Sequence, residues 1–537
     1  MTSTPVPAAA SAAASAEGPA TASRSRLAGV ARGSTANLLG AAVSAASTLG
    51  VTLAVTRGLP QQRAGVFFAA TSLFMLATVV GQLGTNTGLV FFLAKARAQG
   101  VAGARELLYR TAARPVLVVA GLMAVALLVF APEVSALVNP RHVEESTAYL
   151  RMLAVFIPLA GLENVTLAGT RGLGTMRPNV VTEQLGRPTL QLMLVVVSVT
   201  VFGGRGLGLA WVVCYLPAAV LAFAYWRRLG GAADRRASQA QVAGEPGSGT
   251  VGDSAGAVAG QRREFWRFTA PRAAASVAQM AMQRLDIVLV AALAGAVPAA
   301  IYTAATRFLV VGQMGQRAIS LAVQPRLGEA LALHDTALGK QLYRVSTSWL
   351  MLVTWPTYLT FCFFGEQLLG LFGHDYAAGR DVLLLLAGIM LFATGCGMVD
   401  MVLNMAGRTS WNLMNVGLSL GVQIGVDLWL IPDHGILGAA IGWAAGIVLA
   451  NLVPLVQVGA VVGLHPFGRT TLAAVLSTVG CFAAVPAVVI ALLGPGWVSL
   501  AVSLSVGCSL YAVALWRLRR VLHLTELASI SRRRRRR

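Results

Sequence analysis

Long apolar segments recur along the whole chain of 537 residues and constrain its fold more than any other feature. A helix of about 20 apolar residues crosses the hydrocarbon core of a bilayer. Backbone polar groups in lipid must be satisfied internally, so such segments form transmembrane helices. We count about fourteen of them, near residues 34–55, 64–86, 115–132, 148–170, 180–202, 207–226, 268–294, 299–325, 346–365, 379–404, 411–431, 436–462, 471–493 and 497–516. The sequence therefore predicts an all-α membrane protein.

Composition supports this class. Only 12% of the residues are charged and 56% are hydrophobic, whereas soluble domains carry about 25% charged residues. The net charge of +21 would suit a nucleic-acid partner. However, the basic residues lie in short blocks between apolar segments, which is how membrane topology is encoded. We therefore expect no nucleic-acid binding.

The distribution of basic residues predicts the orientation. If the N-terminus is cytoplasmic, most of the 42 basic residues lie on the inner side, as the positive-inside rule requires. We assign Arg171, Arg177 and Arg187 to that inner set. The outer loops hold few basic residues, namely Arg57, Arg63, Arg141, Arg151, Arg205 and Arg380. The expected location is the cell membrane, with both termini in the cytoplasm.

An internal repeat predicts the architecture. AGVFFAATSLF (64–74) aligns with AAIYTAATRFL (299–309) at an offset of 235 positions, since 299 − 64 = 235. The two stretches begin the second and the eighth segment, six segments apart, so both copies start on the same side of the membrane and the repeat is parallel. We expect two six-helix lobes around a central cavity, with two further helices at the C-terminus.

These segments divide the chain into six parts. Composition and spacing predict a disordered cytoplasmic tail (1–30), an N-terminal lobe (31–226), a cytoplasmic linker (227–263), a C-terminal lobe (264–465), two additional helices (466–516) and a basic cytoplasmic tail (517–537).

Polar residues form a stripe on the first helix of the second lobe. Their steps of four, three, four and three place them on one helical face. They are Arg272, Ser276, Gln279, Gln283 and Asp286. The next helix carries Gln313 and Arg317, while Arg284 and Arg307 lie off the two stripes by about one residue. Charged groups at bilayer depth usually face a cavity or a partner. We predict that these residues line the cavity; interhelical hydrogen bonding is the alternative.

Three acidic residues are candidates for ion or proton coupling: Glu163, Asp286 and Asp400. For Glu163 and Asp400, an ion pair between helices is the structural alternative. Asp427 lies beside Trp429 near the predicted end of a span, so we expect it at the membrane interface.

No pattern predicts a catalytic, metal or cofactor site. The five cysteines lack metal-ligand spacing and the six histidines are scattered. The ATP-binding pattern GxxxxGK[ST] is absent, and the outer loops are too short to hold the active site of a membrane glycosyltransferase, polymerase or ligase. We therefore predict a protein that is not an enzyme.

Three stretches resemble a known family. TRGLPQQRAGVFFAATSLF (56–74), IYTAATRFLVVGQMGQRAISLAVQPRL (301–327) and HGILGAAIGWAAG (434–446) are similar to Wzx-type flippases. These belong to the multidrug/oligosaccharidyl-lipid/polysaccharide (MOP) exporter superfamily. The resemblance implies a two-lobed fold and the flipping of an undecaprenyl-pyrophosphate-linked oligosaccharide for cell-surface polysaccharide synthesis. It also implies membrane lipids, a polysaccharide polymerase or glycosyltransferases as partners.

Two other activities within the superfamily stay open. Peptidoglycan lipid precursor flippases carry arginines on the first helix, where this chain has Ser44, Thr48 and Thr52. Drug/cation antiporters need an acidic residue in the N-terminal lobe, for which Glu163 is the candidate. The arginines of the predicted cavity favour an anionic substrate such as a pyrophosphate.

Overall fold

The structure is a computed structural model that describes residues 19–98, 104–242, 255–333 and 335–522. Regular structure in these residues is entirely helical. The prediction of an all-α protein is therefore confirmed.

Six helices, some of them interrupted, form the first lobe. A short helix, Ala131–Val138, lies between the third and the fourth. The six are α1 (Pro19–Gly58), α2 (Gln61–Gly81 and Thr85–Ala98), α3 (Ala104–Val129), α4 (Val143–Ala154 and Ile157–Gly172), α5 (Arg177–Asn179, the π-helical turn Val180–Gly186 and Arg187–Thr200) and α6 (Leu207–Val212 and Tyr215–Val242).

Eight further helices form the second lobe and the C-terminal pair. They are α7 (Ala255–Leu293), α8 (Ala296–Ala332), α9 (Thr336–Gly370), α10 (Arg380–Gly395 and Val399–Met405), α11 and α12 (the two parts of Thr409–Val462), α13 (Arg469–Val479, the π-helical turn Gly480–Ala484 and Val485–Leu493) and α14 (Trp497–Leu518).

The segment Thr409–Val462 contains two membrane spans. Its 54 residues would make a helix of about 80 Å, more than twice the thickness of a hydrocarbon core. Gly435 interrupts it with φ 55° and ψ −129°. On either side, the amides of Asn415 and Gln457 exchange hydrogen bonds of 2.7 and 3.1 Å. The two parts therefore fold back on each other as α11 (409–434) and α12 (436–462).

Ten helical segments of the described residues are long and apolar enough to cross a membrane. Ser410–Val462 is one of these ten and supplies both α11 and α12. The predicted spans 180–202, 299–325 and 346–365 are not among the ten, but they lie in α5, α8 and α9. Every predicted span therefore lies in a helical region, and the chain is a multi-pass membrane protein.

The helices extend beyond the predicted spans at three places. Helix α1 already begins at Pro19, inside the predicted tail, while residues 1–18 lie outside the described part. Helices α6 and α7 enter the predicted linker as far as Val242 and from Ala255. Residues 243–254 and the basic tail 523–537 also lie outside the described part.

Helix α2 connects the two lobes because it packs against both α7 and α8. At the predicted outer end, Gly65 of α2 lies so close to α8 that a Cβ there would overlap the carbonyl oxygen of Ala296. At the predicted inner end, Phe91 of α2 stacks on Phe268 of α7 with ring centroids 4.5 Å apart. Helix α1 packs against α8, which is the counterpart of the α2–α7 pair under the predicted repeat.

A hydrogen-bonded contact also joins the lobes at the predicted outer end. Arg57, at the end of α1, donates from Nε to the carbonyl oxygen of Leu371 at 2.6 Å and from Nη2 to that of Gly370 at 3.1 Å. Both carbonyls lie at the C-terminus of α9, where a cation is favoured by the helix dipole. The two lobes are therefore in direct contact at the predicted outer end.

Candidate functional site

A buried carboxylate of the second lobe lies near the first lobe. Asp286 of α7 is 2% exposed and accepts a hydrogen bond of 2.6 Å from the hydroxyl of Tyr302 on α8. Its other oxygen accepts from the backbone N–H of Ile287 at 2.8 Å. An ionised group in an apolar interior is costly unless such partners compensate for the lost water. These contacts hold α7 and α8 in a fixed register.

A second buried carboxylate, Asp427 of α11, lies close enough to interact electrostatically with both Asp286 and Tyr302. It is fully buried, and neither of its oxygens has a hydrogen-bond partner among the described residues. The expectation that Asp427 lies at the membrane interface is therefore wrong. Its neighbour Trp429 is exposed, but the carboxylate points into the lobe.

The sequence contains a signal for Asp427 that our reading missed. Asn415, Ser419, Gln423 and Asp427 recur every four residues, and all four are buried. This polar face packs against α12, whose Gly442 and Gly446 leave no room for a side chain beside Asp427 and Gln423. The glycines of the HGILGAAIGWAAG stretch thus allow α12 to cover a polar stripe.

Gln423 joins this polar face to α7. It is 1% exposed, and its Nε2 donates to the carbonyl oxygen of Met282 at 3.3 Å. The hydrogen bond fixes α11 beside the segment of α7 that carries Asp286. Three helices therefore converge on the two carboxylates.

Two arginines lie beside these carboxylates. Arg284 of α7 and Arg307 of α8 both interact electrostatically with Asp286. The Nε of each is buried and has no hydrogen-bond partner among the described residues. Arg284 is also near the hydroxyl of Tyr215 on α6, so it lies where the second lobe meets the first. The two guanidinium groups thus retain unused donors.

The first lobe contributes an acidic and a basic group to the same region. Arg187 of α5 donates from Nη1 to the hydroxyl of Tyr215 at 2.6 Å, and its guanidinium lies over the Tyr215 ring. Its Nε is 3.9 Å from Oε1 of Glu163 on α4, which is 2% exposed. Neither carboxylate oxygen of Glu163 has a hydrogen bond among the described residues.

The structure corrects the assignment of Arg187 to the inner loops. The π-helical turn Val180–Gly186 precedes it, and Arg187 begins the next helical segment inside the predicted span. Its side chain is 21% exposed and pairs with Glu163. The interhelix ion pair named as the alternative for Glu163 is therefore present.

The stripe on α7 lies between two packed faces of that helix. Ala273 packs against α2 near Gly84, and Met282 contacts α11. Gln279 and Gln283 are exposed and Ser276 is half-buried. Arg272 donates from Nη1 to the carbonyl oxygen of Phe268 at 3.0 Å and lies over its ring. The exposure of Gln279 and Gln283 fits a position on a cavity wall. Contact between these residues and a substrate stays a prediction.

Three further predicted site residues, Gln313 and Arg317 of α8 and Asp400 of α10, are described to different extents. Gln313 is half-buried, and the side chain of Arg317 lies outside the described part of the chain. Asp400 of α10 is exposed, and no ion pair joins it to a described residue. The described residues contain no group of three or more His, Cys, Asp or Glu side chains that could hold a metal ion.

The Tyr302–Asp286 hydrogen bond predicts a difference between two buried tyrosines. Tyr302→Phe leaves a buried carboxylate oxygen without its donor, which costs about 1–3 kcal/mol. Thermal unfolding of the purified variant should shift several degrees below that of the wild type. Tyr358→Phe is the control, because the Tyr358 hydroxyl is also buried but has no partner among the described residues. Equal shifts in both variants would contradict the assigned bond.

A protein-family model matches part of the chain. Residues 271–429 match the MatE family model. The matched segment runs from α7 to α11 and contains Asp286, Arg284, Arg307 and Asp427. A search of curated proteins finds no match.

Solved structures match over most of the chain. The lipid II flippase MurJ, in an inward closed conformation, superposes with a TM-score of 0.69 at 12% identity, over 91% of this chain and 99% of that one. A multidrug resistance MATE family transporter, in an inward-facing conformation, gives 0.61 at 15% identity, over 78% and 95%. A MOP superfamily transporter from Pyrococcus furiosus gives 0.53 at 15% identity, over 81% and 95%.

These neighbours are a flippase and transporters that share one architecture of packed helices. The chain therefore has the fold of the MOP-superfamily transporters, with a MatE match across the helices that hold the candidate site.

Proposed function

We propose that this chain is a flippase that moves an undecaprenyl-pyrophosphate-linked oligosaccharide from the inner to the outer leaflet of the cell membrane. Both termini would then lie in the cytoplasm. The observation that carries the proposal is the pair Arg284 and Arg307, whose buried Nε groups lack hydrogen-bond partners among the described residues. Unused donors on fixed cations are suited to an anionic ligand.

A pyrophosphate fits this arrangement chemically. The planar guanidinium group presents paired N–H donors that match two phosphate oxygens. Arg284 and Arg307 belong to the second lobe, and Arg187 reaches the same region from the first lobe through Tyr215. Arg272 and Arg317 are further candidate contacts along the predicted path from the inner side. Arginines of both lobes would thus contact the negatively charged group of the substrate.

The glycan needs a different set of partners. Sugar hydroxyls bind amides and hydroxyls, and Gln279 and Gln283 are exposed on the same face of α7. Ser276 and Gln313 are half-buried and extend this set. The lipid tail would stay in the bilayer while the head group passes between the lobes.

The contacts of α2 support a mechanism of alternating access. Its outer-end contact with α8 and its inner-end contact with α7 involve different residues. One contact can therefore open while the other holds the lobes together. Rocking about α2 would expose the arginines to each side in turn.

Carboxylates in the same site supply candidates for energy coupling. Asp286 and Asp427 are buried close together, and two negative charges in an apolar interior repel each other strongly. A proton or a monovalent cation between them would relieve that repulsion. We therefore add Asp427 to the coupling candidates Glu163, Asp286 and Asp400.

A peptidoglycan lipid precursor flippase is the second candidate, because the fold matches a lipid II flippase and such a substrate also carries a pyrophosphate. Helix α1 favours the oligosaccharide instead. It presents Ser44, Thr48 and Thr52 where that branch has arginines, and two of these hydroxyls bond to their own helix. Depletion that stops growth and accumulates the peptidoglycan precursor would support the second candidate. A viable deletion that loses only a surface glycan would support the first.

A drug/cation antiporter is disfavoured by the same arginines. Among the described residues, the guanidinium groups of Arg187, Arg284 and Arg307 lie where the lobes meet, and the carboxylate of Glu163 there is paired with Arg187. With one proton shared by Asp286 and Asp427, the three arginines outnumber the remaining negative charges of the region, which would repel a cationic drug.

Removing the unused donors should slow transport. Arg284→Gln and Arg307→Gln each delete charge-assisted hydrogen bonds worth about 1.5–3 kcal/mol, or about tenfold or more in flipping rate. The measurement is the flipping of a pyrophosphate-linked oligosaccharide in proteoliposomes. Arg408→Gln is the control, because Arg408 is exposed and lies over Trp411. Wild-type flipping by both cavity variants would refute the pyrophosphate assignment.

The coupling of flipping to an ion gradient should depend on Asp427. If a cation or proton is shared by the two carboxylates, Asp427→Asn removes the response of the flipping rate to an imposed H⁺ or Na⁺ gradient. The basal rate without a gradient should change less. Asp335→Asn is the control, since Asp335 caps the start of α9 and asparagine caps equally well. A gradient response that survives in Asp427→Asn would exclude this residue from coupling.

A further inference from the structure

An apolar cleft lies on the flank of the second lobe. It is enclosed by α9, α10, α12 and α13 and has a volume of about 710 Å³. That volume falls within the roughly 300–1,000 Å³ of sites that bind small molecules. Its walls are almost wholly apolar and include Met351, Trp355, Leu391, Leu452 and Leu472. Such a surface can hold a hydrocarbon chain but offers little to a sugar.

The cleft is separate from the candidate substrate site. Helix α9 stands between the cleft and α8: its Met351 and Trp355 face the cleft, whereas Val353 and Tyr358 pack against Gly315 and Gly312 of α8. The cleft opens at Leu452 and Leu472, which are exposed. In a membrane this opening faces lipid and not the space between the lobes.

A cationic cluster lies at the cleft's mouth. Gly468 and Thr471 of the α13 start line the cleft, and a Cβ at Gly468 would touch the guanidinium of Arg344. Nη2 of Arg344 is 2.9 Å from Nε2 of His465, while its Nε is buried and has no partner among the described residues. Lys340, one turn before Arg344 on α9, and Arg469 add positive charge.

No described carboxylate neutralises this cluster by an ion pair. The cluster lies at the predicted inner end, where α8 connects to α9 and α12 to α13. Positive charge beside an apolar cleft at that depth complements a lipid that has an anionic phosphate and a hydrocarbon tail.

We propose that this cleft binds an anionic phospholipid of the cytoplasmic leaflet, with its phosphate at Arg344 and one acyl chain between α10, α12 and α13. Because α9 separates the cleft from the candidate substrate site, we assign the cleft to a structural phospholipid and not to the carrier lipid of the substrate. Bound there, the lipid bridges α13 to the second lobe, beside the contacts that Trp349 and Tyr511 make between α9 and the C-terminal pair.

The experiment measures lipid retention by the purified full-length protein with native mass spectrometry. We expect phosphatidylglycerol to be retained about tenfold better than phosphatidylcholine. Arg344→Gln should abolish the preference, and Gly395→Leu should lower retention of both lipids. A side chain at Gly395 projects toward Met351 and Trp355 inside the cleft. Arg408→Gln, a basic residue at the same predicted end, should behave as the wild type.

Three results would overturn the proposal. They are equal retention of the two phospholipids by the wild type, an unchanged preference in Arg344→Gln, and displacement of phosphatidylglycerol by polyprenyl phosphate at equal concentration. The last result would assign the cleft to the carrier lipid. Lipid retention is measured without transport, so its failure leaves the proposed flippase activity untouched, and a failed flipping assay leaves this site untouched.

Discussion

Charged side chains between the two lobes must be compensated inside an apolar bundle, and the architecture around them follows from that need. Asp286 is held by Tyr302 and by a backbone N–H, while Glu163 lies opposite Arg187. Placing one charged side chain at bilayer depth costs several kcal/mol of free energy by most estimates. The helices α4 to α8 and α11 are therefore fixed by polar contacts in their middle, where a purely apolar bundle would allow sliding.

Small residues allow these polar contacts to form. Helix α12 approaches the polar face of α11 because Gly442 and Gly446 carry no side chain there. In the same way Gly65 lets α2 approach α8 at one end of the bundle. Close backbone approach is a general device of helix packing in membranes. It lets α12 cover the face of α11 that carries Asp427, which interacts electrostatically with Asp286.

The sequence predicts the helices well because hydropathy and length decide which segments span a bilayer. The repeat at 64–74 and 299–309 likewise predicts the two-lobed arrangement. The surroundings of Asp427 and Arg187 were not predicted correctly from the sequence. The sequence predicts an interface position for Asp427 and an inner-side position for Arg187, whereas their surroundings are decided by packing against the neighbouring helices α12 and α4. A four-residue period ending at Asp427 was a usable signal, but no local pattern pairs Arg187 with Glu163.

The proposed function depends on recognition of a pyrophosphate by the arginines between the lobes. The most direct measurement is the affinity of the purified protein for three short-chain prenyl compounds that carry a pyrophosphate, a monophosphate or a hydroxyl. We expect the affinity to fall from the pyrophosphate to the monophosphate and again to the hydroxyl compound, and we expect added salt to weaken the pyrophosphate complex most. Equal affinity for the three compounds would contradict the proposed recognition.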